Sequence, residues 1–183
     1  MTQPSFTLFE TAIGACGVVW GERGILAVQL PEADTERTRA RVLRRFPDAQ
    51  DAPPPQPVQS AIEAMIALLQ GEHVDLTGVE LDMDGLDPFN RRACDLARTI
   101  PPGQTMTYGQ IASRLGEPNA AQAVGQAMGK NPFPIIVPCH RVTAAGGKMG
   151  GFSAPGGART KLKMLEIEGA LSAEALPLFA GSR

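Results

Sequence analysis

At Gly85–Asp87 the chain changes character, and this break constrains the fold more than any other feature. Before it lie short runs of β-forming residues and one long amphipathic stretch; after it come brief helical segments punctuated by proline and glycine. The charge changes sign at the same place. Residues 1–86 carry six Lys/Arg against thirteen Asp/Glu, and residues 87–183 carry eleven against six. A chain of 183 residues is long enough for two small cores. The reading is therefore an α/β (α+β) protein of two domains, 1–86 and 87–183. The first is a small β-sheet with helices, and the second is mostly helical. A basic half beside an acidic one fits either a polyanion-binding surface in the second half or solvated charge with no partner.

In the first half, Val18–Trp20 and Ile25–Leu30 read as two strands around the turn "GERG". "TERTRARVLRRF" reads as a polar helix burying Val42, Leu43 and Phe46. "PDAQDAPPPQPV" cannot continue a helix and is expected to be an extended linker or surface loop. "VQSAIEAMIALLQGE" repeats Ile62, Met65, Ile66 and Leu69 at helical spacing, with Gly71 to stop it.

The second half opens on Asp87, a good N-cap, followed by Pro88 at the first helical position. Ala93, Leu96, Ala97 and Ile100 form its expected buried face. Thr107 and Gln110 have the spacing of a capping box, and Gly116 is placed to end that helix. After "GEPN", Asn119 is expected to cap a second helix running to about Gly129. Two short helices joined by a tight turn form a helix-turn-helix pattern. The second carries Ala120, Ala121, Ala123, Gly125, Ala127 and Gly129, so its backbone can approach another surface closely, whether a neighbouring helix or the floor of a groove. "FPIIVP" is an edge strand or a buried connector, since its prolines cannot donate to a ladder. A Gly-rich stretch follows, then a terminal helix, "ARTKLKMLEIEG", with Leu162 and Leu165 inward and Lys161 and Lys163 outward.

Three cysteines, Cys16, Cys94 and Cys139, do not make a disulfide framework, which points to a reducing, cytoplasmic setting. Two histidines and no CxxC or HxxxH spacing argue against a zinc site, and no metal or cofactor is expected. No apolar run approaches the roughly 20 residues that span a bilayer, and the N-terminus does not have the pattern of a signal peptide. Cys16 and Cys94 read as small core residues. Cys139 is different, because His140 and Arg141 follow it directly. A thiol is a useful nucleophile only when a base or a positive field makes its thiolate accessible. Consecutive extended residues point to opposite faces, so contact between Cys139 and His140 requires a turn or a bridging water. Glu168 sits at a helix C-terminus, where the dipole disfavours an acid; a carboxylate that orients a histidine would account for it. Residue types alone leave two readings, a catalytic Cys139 or a core cysteine beside a surface histidine.

"NPFPIIVPCHRV" resembles the active-site motif of the O6-alkylguanine-DNA alkyltransferases, also called methylated-DNA–protein-cysteine methyltransferases. The resemblance spans residues 87–169 and takes in "PPGQTMTYGQIA", the small-residue helix, "PCHRV", the Gly-rich loop and the closing "EGA"; the first half matches loosely. It implies a winged-helix-like second domain and direct-reversal DNA repair, without metal or cofactor, by a protein acting once as a monomer. Cys139 would take the alkyl group from guanine O6 as a thioether. His140 would accept the thiol proton through a water, Glu168 would orient His140, and Asn131 would brace the turn. Tyr108 would hydrogen-bond the base at N3, and Met128, Val142, Phe152 and Ser153 would line the pocket. Ala121, Gln122 and Arg141 would contact duplex DNA in the minor groove with the damaged nucleotide flipped out.

Three departures stand out. Gln122 occupies the position where the family usually has an arginine that fills the gap left by the flipped base. Phe152 replaces the commoner tyrosine, and "FSAPGG" carries Pro155 in a longer loop. The alternatives are a sensor that recognises alkylated bases without removing them, which the presence of Cys139 argues against, and a cysteine hydrolase using Cys139 and His140.

Overall fold

Strand β1 (Ser5–Thr11) pairs antiparallel with β2 (Gly14–Gly21), which pairs antiparallel with β3 (Gly24–Gln29). The computed structural model describes residues 2–145 and 157–170. Helix α1 (Thr35–Arg45) follows, and then the two-residue strand β4 (Gln50–Asp51) adds parallel to β1, giving the sheet order β3-β2-β1-β4. The proline-rich linker thus contributes an edge strand before α2 (Gln56–Leu69) begins, two residues earlier than the apolar pattern predicts. Strand β1 is not among the strands expected from the sequence.

The sheet is covered on both faces. On one, α1 packs Val42 against Phe6, Val19, Ala27 and Ala49. The close approach depends on Gly17, where a Cβ would stand 2.8 Å from Val42 Cγ2. The expected inward face of α1 is rotated: Thr38 and Val42 are buried, whereas Leu43 is 36% exposed and Phe46 is half-buried. Thr38, Val42 and Phe46 follow one another at i, i+4 and i+8, so Phe46 still packs against this cluster from the C-cap, whereas Leu43 falls beside the stripe. On the other face, Cys16, Val18, Trp20, Val28 and Leu30 join a core that runs through α2 into the second half of the chain.

That second half begins with α3 (Pro88–Ala97), whose Asp87 side chain caps Asn90 N–H. Strand β5 (Met106–Thr107) leads into α4 (Tyr108–Arg114), which carries the expected capping box between Thr107 and Gln110. Helix α5 (Ala121–Gly129) starts without a side-chain cap: Ala120 stands at the N-cap, so Asn119 does not perform the role expected of it. "FPIIVP" is not a strand but a buried, turn-rich connector. It ends in the 3-10 turn Cys139–Arg141, followed by β6 (Val142–Thr143), which pairs parallel with β5. Helix α6 (Ala158–Ile167) closes the described chain. The two halves are stitched together at the site: Val28 N–H of β3 donates to Pro132 O at 2.9 Å. Among the described residues, no helix is long and apolar enough to cross a membrane.

Candidate active site

The segment before Cys139 is shaped by Asn131. Its Nδ2 donates to Val137 O at 2.9 Å, and its Oδ1 accepts from Phe133 N–H at 2.9 Å. One side chain therefore ties the start of the connector to its end. Within the loop Ile135 holds φ at 77°, a left-handed conformation that costs a β-branched residue energy and that the surrounding bonds must enforce. Pro138, with φ −79° and ψ 66°, forms an inverse γ-turn in which Cys139 N–H reaches Val137 O at 2.7 Å. The chain then enters the 3-10 turn. Cys139, His140 and Arg141 are consecutive on a tight helical turn rather than alternating along a strand.

Each of the three is buried and differently held. His140 Nε2 lies 2.7 Å from Glu168 Oε1. Arg141 donates from Nε to Glu168 Oε2 at 2.9 Å and from Nη2 to Oε1 at 2.6 Å, with Nη1 on Ile100 O at 2.7 Å. Burial alone would raise the Glu168 carboxyl, but hydrogen bonds from His140 and Arg141 outweigh it and hold it at about 2. Burial holds the His140 imidazole below its ordinary value, against the opposing pull of Glu168. The histidine is therefore neutral at pH 7 and faces an ionised carboxylate. Its proton sits on Nε2, donated to Glu168, and Nδ1 carries the lone pair. Nδ1 is buried with no protein partner among the described residues. Buried polar atoms are ordinarily satisfied, so an orphan basic nitrogen one residue from a thiol marks where a proton can be received.

Glu168 stands at the C-cap of α6, and a Schellman motif fixes it there. Gly169 adopts φ 72°, its N–H bonds Glu166 O, and Ala170 N–H reaches back to Leu165 O. The acid that the helix dipole disfavours is held by two cationic or hydrogen-bonding neighbours from 27 and 28 residues earlier.

Cys139 retains 4% exposure. Burial pushes its thiol above the ordinary value; a hydrogen bond from Asn131, the charge of Lys161 and the backbone N–H groups of Cys139 and His140 oppose this. Burial drives the Cys16 and Cys94 thiols up to about 12. Tyr108, the first residue of α4, is half-buried and has its hydroxyl raised by burial and then by Cys139, so it remains a proton donor. Val142 is buried directly after the 3-10 turn, and Met128 is buried on α5. Phe152, Ser153 and Pro155 lie outside the described residues.

Two expectations need correction. Arg141, expected on DNA, is 5% exposed and committed to Glu168 and Ile100, so it serves the relay from inside. Lys161, expected to point outward, is 1% exposed, because α6 buries the stripe Lys161, Met164, Leu165 and Glu168 rather than one centred on Leu162. The spacing i, i+3, i+4, i+7 ending on Glu168 is the signal that could have found it. On α5, Gln122 is exposed and Ala121 half-exposed. Gly125 and Gly129 have no described atom within 4 Å of where a Cβ would stand. At Gly125 the lack of a side chain is thus not required by packing within the described residues.

Fold and site together place a buried cysteine on a 3-10 turn whose next two residues, His140 and Arg141, both bind the buried carboxylate of Glu168. Residues 88–170 match the model of the 6-O-methylguanine DNA methyltransferase DNA-binding domain. A methylated-DNA–protein-cysteine methyltransferase of Methanothermobacter thermautotrophicus is 33% identical over 153 residues, covering 84% of this chain and 78% of the relative. The crystal structure of Mycobacterium tuberculosis O6-methylguanine methyltransferase matches with TM-score 0.72 at 33% identity, covering 96% of this chain and 99% of that one. The structure of the M. tuberculosis protein in complex with DNA matches with TM-score 0.68 at 33% identity over the same shares. The chain belongs to the methylated-DNA–protein-cysteine methyltransferase family.

Proposed function

We propose that this chain repairs DNA by direct reversal, moving the alkyl group of O6-alkylguanine onto Cys139 once and irreversibly. The observation that carries the reading is the orphan His140 Nδ1 beside Cys139, with Nε2 anchored on Glu168. Glu168 fixes the imidazole tautomer, and Arg141 fixes Glu168. Nδ1 takes the thiol proton through one water. The thiolate attacks the alkyl carbon, the bond from that carbon to O6 breaks, and a thioether forms on Cys139. Tyr108 donates its hydroxyl hydrogen to guanine N3, so the base does not leave as a bare anion. Asn131 holds the turn that presents the sulfur. Val142 and Met128 bound the pocket.

DNA is the partner, as for the relatives whose names and structures include it. The target carbon is unreachable inside a duplex, so the nucleotide is flipped out at a cost of a few kcal/mol. Helices α4 and α5 act as a helix-turn-helix within a winged-helix-like unit, and the open space over Gly125 supports close approach of α5 to the minor groove. Ala121 packs toward the backbone, and Gln122 hydrogen-bonds the orphaned base. Minor-groove contact reads little sequence, which suits a protein that must act anywhere. The break at Gly85–Asp87 is then a division of labour, with residues 1–86 bracing the site through bonds such as Val28 to Pro132. The protein acts as a monomer in the reducing cytoplasm, where its thiol stays free.

The test is stoichiometry. A duplex containing O6-methylguanine should transfer one equivalent of methyl per chain and then stop, and Cys139→Ser should transfer none. Sustained turnover on an acyl ester, with no methyl acceptance, would instead establish a cysteine hydrolase.

A further inference from the structure

Arg98, at the C-cap of α3, is a half-buried cation with no part in the reaction described above. Its Nη2 donates to Leu76 O at 3.0 Å and to Val79 O at 2.8 Å, which fastens the chain after α2 to the second half. Its other donors are idle. Nε is buried with no partner, and Nη1 has none among the described residues and is not sealed off from solvent. Among the described residues Arg98 forms no ion pair. A guanidinium keeps its charge at any ordinary pH, so it cannot escape the cost of burial by losing a proton. Burial lowers Arg98 from its ordinary value, and the charges of Asp95 and Asp75 pull it back only from a distance.

The same side chain lines a cavity of about 400 Å³ where the two halves meet. Residues 73–77 form one wall, residues 98–102 a second, and Ile135, Ile136 and Arg141 a third. That volume is enough for a small molecule. Most side-chain donors around it are already spent. Thr77 gives its hydroxyl hydrogen to Asp75, and Thr99 gives its own to Leu96 O. Arg141 is committed to Glu168 and Ile100 O. His73 and Arg98 remain. The one acid in the lining, Asp75, is exposed and occupied by the N–H and hydroxyl of Thr77. An idle guanidinium beside buried Leu76, Ile100 and Ile135 selects a ligand with a negative head and an apolar body. We propose that this cavity binds a small organic oxyanion, a carboxylate or a phosphate monoester, with its head on Arg98 Nη1 and its body against Ile100 and Ile135. Neither Cys139 nor Tyr108 lines the cavity, so the site is separate from the one proposed for alkyl transfer and does not depend on it. A ligand held here touches both halves and stabilises their joint in proportion to its occupancy.

The test is a titration of the full chain with phenyl phosphate, benzoate and inorganic phosphate at constant ionic strength, followed by the 1H–15N resonances of the arginine Nε–H groups. The Arg98 Nε–H resonance should shift saturably with phenyl phosphate or benzoate, and the tighter of the two names the head group. Inorganic phosphate, which has no apolar body, should bind more weakly. Unmodified duplex DNA should leave the shift in place, since it competes only for anions held on the DNA-binding face. Arg98→Met removes a charged donor and should weaken binding about 10- to 100-fold. Asp75→Asn removes the neighbouring negative charge and keeps the oxygen that Thr77 bonds, so it should tighten binding by up to about fivefold. Should Arg98→Met fail to fold, the wild type and Asp75→Asn decide the matter, since both keep Arg98. No saturable shift with any of the three probes, a shift that duplex DNA abolishes, or inorganic phosphate bound as tightly as phenyl phosphate overturns the proposal; Arg98 then does no more than fasten the chain at Leu76 and Val79.

Discussion

Replacing Glu168 by glutamine removes one charge at nearly constant size, and its cost can be worked out in two ways. The carboxyl is held at about 2, against an ordinary value of 4.5. That gap of about 2.5 units, at about 1.4 kcal/mol each, is worth about 3 kcal/mol. Breaking one member of a buried ion pair independently costs about 3–5 kcal/mol, because the Arg141 charge is left uncompensated. The two routes agree. The folded carboxyl is depressed, so its contribution is fully present above pH 4.5 and is lost as pH falls from there toward 2. Glu168→Gln should therefore be about 3 kcal/mol less stable than the wild type at pH 7, with the gap closing in acid. Chemistry should suffer as well. A glutamine amide that donates to His140 Nε2 forces the imidazole proton onto Nδ1, the atom that must receive the thiol proton. The equivalent tautomer error in a Ser-His-Asp triad costs about 10⁴ in rate. Urea unfolding followed by circular dichroism at pH 7, 5 and 3, with methyl-transfer rates at pH 7, tests both. Equal stability at pH 7, or a gap undiminished at pH 3, would refute the reasoning.

Asn131→Ala cuts the bonds to Val137 and Phe133 and leaves a buried carbonyl unanswered, so it should cost about 2 kcal/mol in urea and slow transfer from loss of turn geometry. Tyr108→Phe removes a proton donor; single-turnover kinetics should show a transfer rate about 10²-fold lower with duplex affinity little changed. Gln122→Arg adds a charge at an exposed position of α5 and should tighten duplex binding at low salt, with a steeper salt dependence in a titration series; no gain at low salt counts against the placement of α5 on DNA.

The parts of this site legible in the sequence were those written locally. A cysteine, histidine and arginine in a row, an asparagine seven residues before the proline that precedes them, and a capping box over four residues all sit within one turn or loop. Glu168 was legible for a different reason: an acid at a helix C-terminus violates the dipole rule, and the violation demanded a partner. What failed was direction. Arg141 and Lys161 read as surface charges because charged side chains are rarely buried unless paired. Their answering groups, Glu168 and the Val142 carbonyl, stand 27 and 19 residues away in sequence. Two cations of the basic half are thus interior, so the surface is less basic than the residue count implies. Asn119 failed as a cap because Ala120 took the position, a choice of one residue that propensity cannot make. Strand β1 escapes the sequence pattern because its run of β-formers is short and broken by Glu10, and it becomes a strand through pairing with β2.

The central claim is that one sulfur captures the alkyl group permanently. After incubation with a duplex bearing O6-methylguanine, the intact mass of the protein should rise by a single methylene. Peptide mapping should put it on Cys139, with Cys16 and Cys94 unmodified and no change in Cys139→Ser. Methyl on another residue, on several, or on none while the lesion disappears would contradict the account.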